Sequence, residues 1–160
     1  MNHDTLRRNL VCWMVTAVVG HFVVGVLLPW CSGMAALEGY HLDVESYFWQ
    51  GAAPAAARAQ QLWWISLFGP TVQCMALWMG ALVYMGYRYR SPFAWGALVA
   101  GVVLWAPQDI YISLQAKVWP HVWADSVAVA TLLPPLLILW WIERQWQLTT
   151  QQSEVHKNKG

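Results

Sequence analysis

Several polar side chains lie inside long apolar stretches of this sequence, where water cannot solvate them. Ionisable groups are costly in a membrane span, so they usually face the interior of a helix bundle and mark binding sites or proton pathways. Carboxylates and imidazoles can bind a cation, exchange a proton or orient a polar ligand. We therefore predict a ligand-binding site formed by four ionisable residues and two glutamines: His21, Gln73, Gln108, Asp109, His121 and Asp125.

Two aspartates and a histidine are the central members of this set. An isolated buried carboxylate such as that of Asp109 is stable only beside a cation, a proton or water. His121 and Asp125 are four residues apart, which places them on one face of a helix. A carboxylate–histidine pair can orient a base or a metal ligand. The sequence has no HxxxH, HExxH or CxxC spacing, however, so it assigns no metal site and identifies no cofactor.

The composition defines the environment that must hold these residues. Of the 160 residues, 58% are apolar and 11% are charged, whereas soluble domains usually have about 25% charged residues. The mean hydropathy is +0.37. The net charge of +1 excludes the concentrated basic surface that a nucleic-acid-binding protein needs. The chain is therefore expected to be a small integral membrane protein.

Four apolar segments are long enough to cross a bilayer as helices, which requires about 20 residues. Helices satisfy their own backbone hydrogen bonds in lipid, and these segments are too long for barrel strands. We expect the first segment to be retained as an anchor, because its apolar run is longer than that of a signal peptide. The sequence thus predicts a single all-α transmembrane domain over residues 1–160, with helices at about 10–30, 62–86, 92–115 and 120–142.

The distribution of basic residues predicts the orientation of these spans. Seven of the nine Lys and Arg residues lie beside the termini or between the second and third spans, and only Arg58 and Lys117 lie on the opposite side. Cytoplasmic segments are enriched in Lys and Arg. We therefore expect a multi-pass protein of the cytoplasmic (inner) membrane with both termini in the cytoplasm. Most of the 13 tryptophans fall near the predicted span ends, as interfacial anchors do.

Two segments lie outside the predicted spans. In the 31–61 loop, expected on the outer face, apolar residues recur at helical spacing, which predicts an amphipathic helix on the outer surface. This helix is expected to cover the bundle, and the alternative is a lid over a ligand cleft. His41 in this loop is expected to be solvated. The polar segment 145–160 is predicted to be a disordered cytoplasmic tail.

Each predicted span carries a stripe of small and polar residues three or four positions apart, which places them on one helix face. Small residues let membrane helices approach closely, and polar residues hydrogen-bond across the contact. Counted from the predicted outer ends at about 1.5 Å per residue, Asp109 and Asp125 lie about 10 Å inside the membrane, and His21 and Gln73 about 15 Å. We therefore predict that all four spans converge on a polar cleft that opens outward.

Three functions fit this cleft. The favoured one is a small membrane binding or accessory protein whose ligand is a small molecule, a lipid headgroup, a cation or a proton. The alternative is a membrane enzyme that acts on a lipid or isoprenoid by acid–base chemistry, although no serine nucleophile motif or Gly-rich phosphate loop is present. The second alternative is a structural subunit of a larger membrane complex. The expected partners are the lipid bilayer, a small molecule or lipid, and a membrane-protein partner or a second copy of the chain, but not nucleic acid.

Overall fold

The computed structural model describes the backbone of residues 3–157 and the side chains of residues 4–153, and this part of the chain is helical with no strand. A short 3-10 turn at Ala35–Leu37 follows the first long helix. Four of the helices are long and apolar enough to cross a membrane, as the sequence predicts. The five α-helices are α1 (His3–Cys31), α2 (Glu38–Trp49), α3 (Ala55–Arg88), α4 (Pro92–Gln115) and α5 (Trp119–Lys157).

Three of the spanning helices are longer than the apolar segments predict. Only α4 has the predicted bounds, whereas α1 and α3 begin about seven residues early and α5 continues fifteen residues past position 142. The prediction of a disordered tail is therefore wrong as far as Lys157, and residues 158–160 lie outside the described part. Residues 136–157 contain no Gly or Pro, so nothing in them interrupts a helix. The polar residues after position 142 end the apolar segment, but they do not end helix α5.

The spanning helices present most of their apolar surface outward. In the most apolar 18 residues of each span, only 11–28% are buried inside the bundle. Large apolar side chains such as Leu77, Leu104 and Val127 are exposed. Contiguous exposed apolar surface of this extent is unusual for a protein in water. The outward faces are therefore suited to contact with acyl chains.

The bundle consists of two close helix pairs, α1 with α3 and α4 with α5. Glycines at the contact between α1 and α3 allow the two backbones to approach closely. A Cβ atom at Gly69 would lie 2.4 Å from Pro29 Cδ and 2.7 Å from the Gly25 carbonyl oxygen. The Gln73 side chain donates a hydrogen bond to that same carbonyl at 3.0 Å. Small residues and one polar side chain thus form the crossing, as the predicted stripes on these two spans indicate.

We expect Gly69→Ala to destabilise the protein by about 1–3 kcal/mol, because an added methyl group must push apart two backbones that are already in contact. Gly101→Ala is the matched control, since a Cβ atom there meets nothing within 4 Å. Melting temperatures in detergent would compare the two variants. Equal melting temperatures would show that α1 and α3 do not approach as closely as described.

The largest buried apolar side chains form one cluster near the start of α1 and the α3–α4 turn. Its central residue is Trp95, whose indole ring occupies the space above Gly86, where a Cβ atom would lie 2.4 Å away. Residues from all four spanning helices contribute to the cluster: Val11, Met14, Val83, Trp95, Leu98, Leu132, Leu136 and Leu139. The core that holds the bundle together therefore lies at the end opposite α2.

A buried ion pair closes that same end. The Arg7 side chain donates to the carboxylate of Glu143, which is fully buried, and also donates to the Tyr87 carbonyl at 2.7 Å. A second guanidinium, that of Arg90, lies 3.7 Å from the other Glu143 oxygen. These contacts connect α1, the α3–α4 turn and α5.

Candidate functional site

Three of the predicted site residues come together between α4 and α5. His121 Nε2 lies 3.9 Å from Asp109 Oδ2 and 3.8 Å from Asp125 Oδ1. One potential ligand atom from each of the three residues lies within 4.8 Å of the others. We call these three residues the acid–imidazole cluster. Asp109 lies six residues before the end of α4 and Asp125 six residues after the start of α5, or about 9 Å below the turn at the helical rise, whereas His121 lies only two residues after the start of α5.

The turn between α4 and α5 sets the register of the cluster. Lys117 adopts a left-handed conformation with φ 53°. Its N–H bonds to the Leu114 carbonyl, and the Val118 N–H bonds to the Ser113 carbonyl at 3.0 Å. This pair of bonds is the Schellman arrangement that ends a helix and reverses the chain. The first turns of α5 therefore pack directly against the last turns of α4, which brings His121 to Asp109.

Two neighbouring side chains on α4 orient the cluster. The Trp105 indole N–H donates to Asp109 Oδ2 at 2.9 Å. The buried Ser113 hydroxyl lies 3.0 Å from His121 Nδ1. Trp105, Asp109 and Ser113 are spaced four residues apart and share one face of α4. These bonds hold one carboxylate and the imidazole ring in place.

The electrostatics of the cluster are unfavourable without a further partner. Asp125 is only 4% exposed, and its Oδ2 atom has no hydrogen-bond partner among the residues that the structure describes. The separations of 3.8 and 3.9 Å between His121 and the two carboxylates exceed the 2.7–3.2 Å of a hydrogen bond. A buried acceptor without a donor costs about 1–3 kcal/mol. A positive charge between the three side chains would remove that cost.

Helix α2 covers the cluster through Tyr40. The Tyr40 ring packs edge-on against the His121 ring, with centroids 6.4 Å apart. Burial raises the pKa of the Tyr40 phenol, and the nearby charges of Asp109 and Asp125 raise it further. The phenol therefore stays protonated at neutral pH and remains available as a hydrogen-bond donor.

The other face of α2 is fastened to α1 and α3. His41 is fully buried, so the prediction that it is solvated is wrong. Its Nε2–H donates to the Ser32 carbonyl at 2.7 Å, and its Nδ1 accepts from the Gln61 amide at 2.8 Å. These two bonds select one neutral tautomer of the ring. The imidazole can be buried because the Ser32 carbonyl, just after α1, and the Gln61 amide on α3 satisfy both of its nitrogens.

A charged clamp completes this attachment. The Arg58 guanidinium binds the carboxylate of Glu45, which is buried, and donates to both oxygens of Glu38 at 2.9 and 3.1 Å. These hydrogen bonds from Arg58 hold the pKa of Glu38 and the pKa of Glu45 below the ordinary value of 4.5. The clamp joins the first residue of α2, Glu38, and a residue two turns further along, Glu45, to the first turn of α3.

Acid should loosen α2. Because the folded-state pKa of each glutamate is lower than its unfolded value, the clamp contributes stability above about pH 4.5 and loses it as the pH falls through the folded-state pKa. Hydrogen exchange of the α2 amides, corrected for the intrinsic rate, is therefore expected to quicken between pH 5 and pH 3. A Glu38→Gln/Glu45→Gln variant should exchange quickly at both pH values. Equal protection of wild-type α2 across this range would show that the clamp does not hold the helix.

The remaining predicted site residues lie apart from the cluster in their contacts. Gln73 bonds across the α1–α3 crossing, and His21 donates to the Ala17 carbonyl of its own helix at 2.8 Å. Gln108 is exposed and donates to the Leu104 carbonyl. The sequence predicts that all four spans contribute side chains to one site, whereas in the structure the His21 and Gln73 side chains, on α1 and α3, make their hydrogen bonds elsewhere. Helices α4 and α5 supply the cluster and α2 covers it, because each of the other polar groups finds a backbone carbonyl nearby.

Three contacts of the cluster were not predicted as part of the site, namely those of Tyr40, Trp105 and Ser113. The signal for Trp105 and Ser113 was their spacing of four residues on either side of Asp109. No pattern in the sequence links Tyr40 to His121, because the two residues are far apart along the chain and meet only in the folded protein. Short local spacings are readable in a sequence, whereas contacts between distant elements are not.

The chain matches no known family model, and no curated protein or solved structure is significantly similar to it.

Proposed function

We propose that this chain is a small multi-pass membrane protein that binds a cationic ligand at the acid–imidazole cluster. One observation carries the proposal: the Asp125 carboxylate is almost completely buried, and within the described part of the chain one of its oxygens has no partner. Intramembrane carboxylates are costly and are commonly retained for ligand or ion binding. Among the ligands that the sequence allows, an anionic headgroup would add to the negative charge of the cluster, whereas a cation would neutralise it.

The surroundings of the cluster support ligand access from one side. Asp125 forms the buried floor, while the side chains of Asp109 and His121 are 28% and 40% exposed. Tyr40 lies over His121 with its hydroxyl protonated. By the distribution of Lys and Arg, this end of the bundle faces the extracytoplasmic side of the inner membrane, so we propose that the ligand enters from there.

A panel of cations would test the proposal by thermal shift in mild detergent. The panel comprises Na⁺, ethanolamine, choline, Mg²⁺, Mn²⁺ and Zn²⁺, with phosphate and sulfate as anion comparisons. A cation at 100 times its Kd should stabilise the folded protein by about 2.7 kcal/mol. We expect one class of cation to raise the melting temperature saturably, and the anions to have no such effect.

Two matched variants assign any shift to the cluster. Asp125→Asn should abolish the cation effect, whereas Asp43→Asn should keep it, because Asp43 is an exposed acid on α2. If no cation shifts the melting temperature, or if Asp125→Asn retains the full shift, the cluster is not a cation site. A purely structural role in packing α4 against α5 would then be the better interpretation.

A further inference from the structure

We propose that the cation is a divalent transition-metal ion of the Zn²⁺ type, bound by one carboxylate oxygen from each of Asp109 and Asp125 and by Nε2 of His121. This inference rests on the proposed function and names its ligand class. The sequence alone assigns no metal site, because the ligands do not follow a recognised spacing. They meet only because the α4–α5 turn brings two helices together.

The kinds of ligand atom indicate the kind of metal. An imidazole nitrogen suits Zn²⁺, Cu²⁺, Fe²⁺ and Ni²⁺, whereas Mg²⁺ and Ca²⁺ bind almost entirely through oxygen. Two carboxylates supply two negative charges, which a divalent ion neutralises completely. A monovalent cation or an amine would leave one of these charges unpaired beside the buried side chain of Asp125.

The geometry is close to that of a three-ligand site. Zinc bonds of 2.0–2.1 Å in a tetrahedron place neighbouring ligand atoms about 3.3 Å apart. The two separations from His121 Nε2 are 3.8 and 3.9 Å. All three ligand atoms lie within 4.8 Å of one another. Taking the tetrahedral separation as the reference, metal binding requires the imidazole to close on each carboxylate by about half an ångström, and the two carboxylate oxygens to close on each other by up to about 1.5 Å. Asp109 and His121 are partly exposed and can make this adjustment, while Asp125 is fixed by burial.

The outer contacts of the cluster are those that metal ligands need. A metal-bound histidine usually donates its other ring N–H to a fixed acceptor, which sets the tautomer. The Ser113 hydroxyl at 3.0 Å from Nδ1 can accept that hydrogen, leaving the Nε2 lone pair directed at the carboxylates. Trp105 holds the Asp109 carboxylate in the same way.

Three protein ligands leave one position of a tetrahedral ion open. Sites with three protein ligands and an open position characteristically hold water or an exchangeable ligand there. Tyr40 is the side chain of α2 that packs against His121. We infer that its hydroxyl faces this open position and hydrogen-bonds to whatever occupies it.

Metal binding by the full-length protein tests this assignment directly. The protein, purified without a polyhistidine tag, would be dialysed against Zn²⁺ or Co²⁺ with excess Mg²⁺ present. We expect one ion per chain, and we expect Co²⁺ to give an absorption spectrum typical of nitrogen and oxygen coordination. Effective competition by Mg²⁺ would overturn the assignment to a transition metal.

The variants separate coordination from mere folding. His121→Ala should lower the affinity by at least about 100-fold, and Ser113→Ala, which removes only the orienting contact, by about 10-fold to 100-fold. His21→Ala is the matched control, since it removes an imidazole from a span but leaves the cluster intact, and it should not change the affinity. If His121→Ala does not fold, His121→Gln replaces it. Unchanged affinity in the folded His121 variant would overturn the proposal.

Failure of this inference can be told apart from failure of the proposed function. If ethanolamine, choline or Mg²⁺ stabilises the protein in a manner that depends on Asp125, while Zn²⁺ and Co²⁺ do not bind, the metal assignment is wrong and the cation site stands. If no cation in the panel has an effect that depends on Asp125, both are wrong.

Discussion

Replacement of Asp125 by Asn is expected to raise the melting temperature of the ligand-free protein. The wild-type carboxylate is buried, and one of its oxygens has no partner among the residues that the structure describes. It lies beside the Asp109 carboxylate and His121 Nε2, both of which can accept hydrogen bonds. An Asn side chain of the same shape removes the charge and offers N–H donors to those acceptors. The expected gain is about 1–3 kcal/mol, the usual cost of one unsatisfied buried polar group.

The Asp125→Asn variant should be more stable than the wild type and should also fail to bind the cation. Functional sites commonly sacrifice stability, so a variant that is both more stable and unable to bind is the signature of such a site. Asp43→Asn should change neither property, because Asp43 is exposed. The measurement is the melting temperature with and without a binding cation. A large loss of stability in Asp125→Asn would mean that the carboxylate serves packing.

Replacement of Glu143 by Ala is expected to destabilise the protein by about 3–5 kcal/mol. The substitution leaves the buried Arg7 guanidinium without its carboxylate partner, and an uncompensated buried charge is among the most damaging changes a protein can undergo. Arg90 would lose the same partner. Thermal or chemical unfolding in detergent would measure the effect.

The matched control for this prediction removes both charges of the pair. An Arg7→Met/Glu143→Leu variant should recover most of the lost stability, because well-packed apolar residues often replace a buried ion pair at little cost. Cation binding should survive in this variant, since the pair lies at the end of the bundle opposite the acid–imidazole cluster. A single Glu143→Ala variant as stable as the wild type would show that the pair is not buried in the protein.

The parts of the site that could be predicted from the sequence are those set by local spacing. His121 and Asp125 are four residues apart on one helix, and the short connection after α4 makes α4 and α5 antiparallel neighbours. Asp109 near the end of α4 must then lie at the same depth as Asp125. The four spans followed in the same way from the length of each apolar segment.

The parts that could not be predicted depend on contacts between distant segments. Stripes of small and polar residues show which face of a helix packs, but not which neighbour it packs against. His21 and Gln73 therefore looked equivalent to Asp109, although their hydrogen bonds are made with backbone carbonyls of α1. The pairing of Arg7 with Glu143 joins residues 136 positions apart, for which the sequence offers no signal.

The most direct test of a cation site at the acid–imidazole cluster is infrared difference spectroscopy of the purified protein with and without a stabilising cation. We expect cation binding to perturb carboxylate stretching bands. Asp125→Asn, which should abolish cation binding, is expected to abolish the difference spectrum, and Asp109→Asn should remove the contribution of Asp109, while Asp43→Asn should leave the spectrum unchanged. A difference spectrum that is identical in the wild type and in both cluster variants would contradict binding by these two carboxylates.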